Sequence, residues 1–516
     1  MSNTKIIARN TGWYGLENLV SALLTMVTSI AIARFLGPSK MAYIIYVAWI
    51  SGVVTSLGSL GIPSTTQKYM AEFLGMGDRG TARHIYIRTL WLQTGLAILA
   101  TGGLIVWVLG DAAPDYRLAA ILVVLSILPA MINSVPAQAN VAAEELSRNL
   151  SASVISIFVF FVAILATVTF NWGIVGVGAS MLITRLLDCL IRLIPTSRWI
   201  LSWERAHVHP EGLRRRMLSF AWQSVASMIL AMVVWDRSEF FLLKHLCADI
   251  RQIAFYSVAF NIAERLLITA GVFGSATSAT IFAQYGRDKS RLASITASTF
   301  RYLALSSIPV HLIAATLSYP MLLVLYGKQY QGAALVVAIS PILCLPKAFI
   351  GPVQSLLQSN ERQKYVIGAT VLAGVVDIGV AWLLIPAHGA VGACIGSGAA
   401  QFTAVGMMWA VGIYLYKVRL PWLQIGKITL ISIIAAAAAH LVAAMLPPFW
   451  AVLAGGSVAT LILMVLFYLL RVLEPEDRAR FDVLTGMLPR TLARPANRLV
   501  SFLIRPEIAG ATTSNV

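Results

Sequence analysis

Long apolar runs separated by polar or Gly/Pro-containing segments set the pattern of this chain. Each run approaches the roughly 20 residues that a helix needs to cross a hydrocarbon core. About fourteen spans are predicted by that length, near 11–34, 43–66, 88–110, 117–139, 150–170, 173–196, 217–243, 252–280, 295–318, 332–357, 366–386, 389–415, 426–446 and 450–470. The runs lack the alternation of barrel strands. Lipid admits only helices and closed barrels as spanning structures, so the predicted fold class is all-α and polytopic. The first span follows Lys5 and Arg9. It is too long for a signal-peptide core and has no small-residue cleavage site, so it is expected to stay.

Composition agrees. Apolar residues make up 58% of the 516 positions and charged residues 12%, with mean hydropathy +0.78. A soluble domain carries roughly 25% charge, so a soluble globular enzyme is excluded. Disorder is excluded too, because it needs low hydrophobicity. Net charge is +17, from 39 Lys and Arg against 22 Asp and Glu. With the N-terminus in the cytoplasm, 29 of the 39 basic residues fall on the inner side. Six fall outside (Arg34, Lys40, Arg117, Lys244, Arg251 and Lys328), and four fall inside spans. This asymmetry obeys the positive-inside rule and predicts two cytoplasmic termini. The basic excess then faces anionic membrane lipid rather than nucleic acid.

Cys189, Cys247, Cys344 and Cys394 lie far apart, without a CxxC pair, and read as small apolar residues. No HExxH pair and no GxxxxGK[ST] loop is present, so neither a zinc enzyme nor an ATPase is indicated.

An internal repeat organises the spans. "PAQANVAAEELSRNL" from Pro136 aligns with "PVQSLLQSNERQKYV" from Pro352 at an offset of 216, pairing Gln138 with Gln354 and Glu145 with Glu361. The same offset pairs "GIVGVG" at Gly173 with "GAVGAC" at Gly389. Two six-helix bundles of equal orientation are therefore expected, related by a pseudo-twofold axis along the membrane normal around a central cavity. The expected organisation is a bundle over 1–200, a cytoplasmic linker at 201–216, a second bundle over 217–415, two additional helices over 416–470 and a tail over 471–516. The tail reads as basic amphipathic helices on the inner membrane surface, ending in a disordered stretch.

Four segments carry a family resemblance: "AIARFLGPSKMAYIIYVAW", "LGIPSTTQKYMAEFLGMGD", "WDRSEFFLLKHL" with "QIAFYSVAFNIAER", and "LLVLYGKQYQGAA". They resemble the Wzx-like polysaccharide flippases of the multidrug/oligosaccharidyl-lipid/polysaccharide exporter superfamily, over about residues 5–470. Ala42 stands where these flippases usually carry glycine. The resemblance implies translocation of polyprenyl-diphosphate-linked oligosaccharide across the bacterial inner membrane for surface polysaccharide synthesis. It implies no enzyme activity, and a polysaccharide polymerase and export components as partners. The superfamily also holds cation-coupled multidrug antiporters and the lipid II flippase, which remain the alternatives. A membrane glycan polymerase would need a long outer loop, and none is predicted.

Charges inside spans are costly, so they usually face a cavity or a partner. Arg265 falls near mid-membrane on the eighth predicted span, and Lys347 lies deep in the tenth. A guanidinium suits a diphosphate, which makes Arg265, Arg34, Arg237 and Lys347 the candidate substrate-binding residues. Ion pairs between helices are the alternative for Arg265 and Lys347, snorkelling to the interface for Arg34, and pairing with Glu239 or Asp236 for Arg237. Arg185 and Asp188, three apart, are expected to neutralise each other. Some superfamily members place an Asp on each of spans seven and eleven at a sodium site. By that resemblance Asp236 and Asp377 are the candidate ion-coupling pair, for Na+ or H+. Separate salt bridges to Arg237 and Lys347 are the other reading. No resident cofactor is expected.

Overall fold

The computed structural model describes residues 3–111, 113–205, 212–235, 238–473 and 477–478. Among these the chain is helical, as a backbone that must satisfy its own polar groups in lipid has to be. In order the helices are α1 (Asn3–Gly58), α2 (Ile62–Gly75), α3 (Arg79–Asp111), α4 (Pro114–Leu125), α5 (Ile127–Ala142), α6 (Leu146–Thr169) and α7 (Gly173–Leu201). Then come α8 (Leu213–Trp235), α9 (Glu239–Leu246), α10 (Arg251–Leu266), α11 (Ile268–Arg287), α12 (Leu292–Thr316) and α13 (Ser318–Tyr326). The last are α14 (Ala334–Cys344), α15 (Ile350–Ser359), α16 (Gln363–His388), α17 (Ala390–Tyr416), α18 (Trp422–Ala444) and α19 (Pro448–Leu469).

Ten of the described helical segments are long and apolar enough to cross a membrane. They become eleven when Lys289–Thr316 and Ser318–Tyr326, bent by 71°, form one broken span. The predicted fourteen spans do not appear as fourteen separate helices. The first two join in α1, whose only interruption is Gly37, with φ 70° and ψ 171°, followed by Pro38. Glycine accepts that left-handed φ, and proline has no N–H for the helical ladder, so the pair breaks the helix without ending it. The predicted span 252–280 is divided instead, where Leu267 parts α10 from α11. On the predicted span 217–243 the described residues give α8 to Trp235 and the eight-residue α9 from Glu239, with 236–237 outside them.

The chain forms two compact units. The first holds Glu17–Ser257 with Ala381–Ala393. The second holds Val258–Val380, the described residues from Cys394 onward and the start of the chain to Leu16. Tyr69, Met70, Ile85, Tyr86, Val135 and Ile200 centre one core of the first unit, and Leu303, Leu356, Met408, Trp409 and Ile428 centre one of the second. Large apolar side chains also point outward, with Trp91 at 74% and Leu383 at 75% exposure. A water-soluble surface rarely carries so much exposed apolar area; a bilayer covers it.

A buried carboxylate inside the first unit is well partnered. Asp188 accepts hydrogen bonds from Asn133 Nδ2 at 2.7 Å and Ser156 Oγ at 3.1 Å, and pairs with Arg192 at 3.0 Å. Arg192 also donates to Ser153 Oγ at 2.8 Å. The expected Arg185–Asp188 pair is therefore corrected: the acid pairs one turn onward, and Arg185 is exposed. The order acid then base at i, i+4 is the favoured one on a helix.

The repeat appears in local geometry. α5 and α15 end in the same turn, with Glu144 at φ 60° and Glu361 at φ 59°. Glu145 N donates to Asn140 O at 2.9 Å, and Arg362 N to Leu357 O at 2.8 Å. At this turn the equivalence runs one residue out of the sequence register, since Glu144 rather than Glu145 matches Glu361. Of the predicted tail, 474–476 and 479–516 lie outside the described residues. Asp477 is buried, paired with Arg301 and hydrogen-bonded by the Tyr302 hydroxyl, which ties this point to α12.

Candidate functional site: charges at helix breaks in the second unit

Arg265 occupies the last turn of α10. The helix ends at Leu266, and Leu267 separates it from α11. A helix end leaves carbonyls without intrahelical partners and carries the negative end of the dipole, which favours a cation there. Lys347 sits at a second break. α14 gives way at Cys344 to a 3-10 turn over Leu345–Phe349, entered through Pro346, before α15 resumes the α-helical ladder. A 3-10 stretch inside a span is a common mark of a hinge or functional site.

Bonds from distant parts of the sequence bring these breaks into one neighbourhood. Ser340 Oγ donates to Ala259 O at 3.2 Å, and the Cys344 thiol donates to Ala263 O at 3.8 Å. Two successive turns of α14 are thereby pinned to α10 just before Arg265. On the other side, Trp409 Nε1 donates to Phe349 O at 3.0 Å, giving the carbonyl that ends the 3-10 turn a partner. Phe300 stacks on Phe349 at 4.4 Å and meets Trp409 edge-on at 4.8 Å. The turn that carries Lys347 is thus held by a buried aromatic cluster.

Lys347 and Glu264 both lie near the Cys344 thiol, and Arg265 lies near the Tyr326 hydroxyl. Arg265 and Lys347 are half-buried, and Glu264 is exposed. Tyr326 packs against Tyr330 with ring centroids 5.6 Å apart. The result is a patch with two cations and one carboxylate, with the buried Tyr326 beside it. Its chemistry suits an anion with spread charge: the guanidinium offers a two-pronged contact and the ammonium a point charge.

The other predicted residues are placed as follows. Arg34 is exposed on α1, in the first unit, one turn before the Gly37–Pro38 break. Asp377 is buried in α16, in the second unit. Asp236 and Arg237 lie outside the described residues. Among the described residues no three His, Cys, Asp or Glu side chains converge as a metal site. Sequence reasoning missed that Tyr326 neighbours Arg265 and that Cys344 packs on α10 beside it, because no spacing signal links positions about 60–80 residues apart that meet only through tertiary packing.

Known proteins give this geometry a context. The chain is similar in fold to the lipid II flippase MurJ in an inward closed conformation, with TM-score 0.72 and 14% identity over 89% of this chain and 98% of that one. It is also similar to an inward-facing multidrug resistance MATE family transporter of the MOP superfamily, with TM-score 0.61 and 16% identity over 77% and 94% of the two chains. A MOP superfamily transporter from Pyrococcus furiosus follows at TM-score 0.53 and 15% identity, over 78% and 93%. No curated protein sequence matches the chain. At such identities the likeness is one of fold: an all-α, multi-pass membrane architecture shared with transporters and flippases rather than enzymes. The profile of the family described as polysaccharide biosynthesis protein matches residues 7–285, more than half of the chain, and the chain belongs to that family.

Proposed function

We propose that the protein translocates polyprenyl-diphosphate-linked oligosaccharide from the cytoplasmic to the outer leaflet of a bacterial inner membrane, by alternating access, for surface polysaccharide synthesis. The observation that supports this reading is the juxtaposition of Arg265 and Lys347 at two helix breaks of one unit. Discontinuous helices near mid-membrane are where transporters of many folds bind charged substrates. A cationic patch favours a diphosphate over the cationic substrates of a multidrug antiporter. Arg34 and Arg237 add cations to the same reading. A lipid II-type substrate carries the same diphosphate chemistry, and the fold likeness to MurJ keeps it as the second reading. Lipid-linked glycan and membrane lipid are the direct partners, with polymerase and export components downstream.

Repeated export of a charged headgroup needs a driving term. The membrane potential supplies about 2.3 kcal/mol per charge per 100 mV, so one or two co-transported cations suffice. In this reading Asp236 and Asp377 take the coupling Na+ or H+, as carboxylates suit either. The test is glycan export in cells that depend on this protein. Arg265→Ala is expected to abolish export with protein still in the membrane, and Arg265→Lys to rescue it in part. Asp377→Asn and Asp236→Asn are each expected to weaken the ion dependence, with the double variant little worse than either if they share one ion. Normal export by Arg265→Ala at native expression refutes the substrate role. Unchanged ion dependence in both Asp variants refutes the coupling role.

A further inference from the structure

A cavity of about 350 Å³ opens in the first unit between α2, α3 and α8. Its polar lining includes Arg88 and Arg214, with the buried hydroxyl-bearing Thr65 and Thr89; Leu92 and Leu218 are among its apolar lining residues. Arg216, two residues from Arg214, is engaged elsewhere: it pairs with Glu72 of α2 at 2.9 Å. Among the described residues, neither Arg88 nor Arg214 meets a carboxylate.

Two contacts fix the heights of the walls. Gln93 Nε2 donates to Ser59 Oγ at 2.9 Å, which levels α3 with the residues just before α2. Gly61 packs directly on the backbone of Ala221, which levels α8 with the same point. Arg88 lies five residues and Arg214 seven residues before these pins, about 7.5 and 10.5 Å down the axes at 1.5 Å per residue. Both guanidiniums therefore lie toward the same end of the cavity. Leu92 and Leu218, each four residues after its arginine and so on the same helix face, lie nearer the pins, and both are exposed. Trp91 and Trp222 beside them are exposed as well, which is the habit of tryptophan at a membrane interface. Each of two walls thus presents a cation and, one turn further, a leucine open to lipid.

We propose that this cavity holds an anionic phospholipid of the bilayer, its phosphate between Arg88 and Arg214 and an acyl chain along Leu92 and Leu218. Charge complementarity selects the occupant: two guanidiniums that meet no carboxylate among the described residues suit a phosphate, and the apolar exposed leucines suit a chain. The site is built from residues of the first unit, whereas Arg265 and Lys347 belong to the second, so it stands or falls independently of the proposed substrate.

Native mass spectrometry of the full chain in detergent, titrated with phosphatidylglycerol or phosphatidylcholine, tests it. The expected result is one tightly retained phosphatidylglycerol and weaker retention of phosphatidylcholine. Arg88→Gln and Arg214→Gln should each weaken phosphatidylglycerol binding about tenfold, as loss of a charge-assisted bond does, with the exposed Arg215→Gln as unchanged control. Leu218→Trp, which fills the mouth and keeps both arginines, should weaken binding as well. Equal retention of the two lipids, wild-type binding by the Arg88→Gln/Arg214→Gln pair, or unchanged binding by Leu218→Trp overturns the site. Preferential capture of a polyprenyl phosphate overturns the bilayer lipid as its occupant.

Discussion

Replacing Gly61 by alanine separates two costs that the structure assigns to one residue. Gly61 adopts φ 70°, and a Cβ added there would sit 2.5 Å from Ala221 O and 3.2 Å from the carbonyl carbon and Cα of Ala221. The left-handed backbone costs an L-residue roughly 1–2 kcal/mol. The clash is with backbone, which no rotamer change can relieve, so α8 must yield by the better part of an ångström; overpacking of this kind costs about 1–3 kcal/mol. Gly61→Ala should therefore destabilise the first unit by about 2–5 kcal/mol, as the sum of these terms. Gly77→Ala is the control: φ is 80° there, and nothing lies within 4 Å of an added Cβ. It should cost only the backbone part. Thermal unfolding of the purified chain in one detergent, followed by tryptophan fluorescence, compares the two. Equal losses of Tm in both variants would refute the steric argument, and no loss in either would refute the backbone one.

The Asp188 network gives a second prediction. Asp188→Ala leaves Arg192, whose side chain is only 13% exposed, without its carboxylate, and leaves Asn133 and Ser156 without their acceptor; such a change costs about 3–5 kcal/mol. Adding Arg192→Met should recover most of the lost Tm, and a double variant no better than the single one rules out charge burial as the cause. The third concerns topology. A reporter fused after Lys289 or Lys417 should read cytoplasm, and one after Lys244 the outside; an outside reading at Lys289 refutes the predicted orientation.

Most of the fold class was legible because hydropathy measures burial in lipid directly. The apolar runs at 150–170 and 426–446, for example, fall on α6 and α18 and overshoot their ends by no more than two residues. What hydropathy cannot register is a break inside an apolar run. Leu267 and Leu345 are as apolar as their neighbours, yet the ladder changes at both. Lipid tolerates such breaks where protein surrounds them, and that shelter comes from elsewhere in the sequence, as Trp409 provides for Phe349. The in-span charges Arg265 and Lys347 were visible for the opposite reason, since a charge in an apolar run stands out. Arg88 and Arg214 were not, because each sits in a basic stretch that topology alone explains. Asp188 was assigned the wrong partner because two basic residues flank it on one helix, and only packing decides which of them turns inward.

Under the proposed function, the position of Arg265 bears on how the site avoids binding its substrate too tightly. An arginine paired with a buried carboxylate would be neutralised, and an anionic substrate would have to displace that partner. An arginine in open apolar surroundings would be costly to keep and would hold an anion too firmly for release. A helix C-terminus lies between these limits. The end carbonyls of α10 offer partial negative charge, enough to stabilise the guanidinium but less than a full anion, and the Tyr326 hydroxyl lies within its electrostatic reach. In the proposed transport cycle the break after Leu266 would hold a cation available to an anion, and α10 and α11 would change their relative direction at Leu267. Binding and movement would then fall on one residue step of the chain, and stiffening Leu267 should alter transport rate while leaving the charge of the site intact.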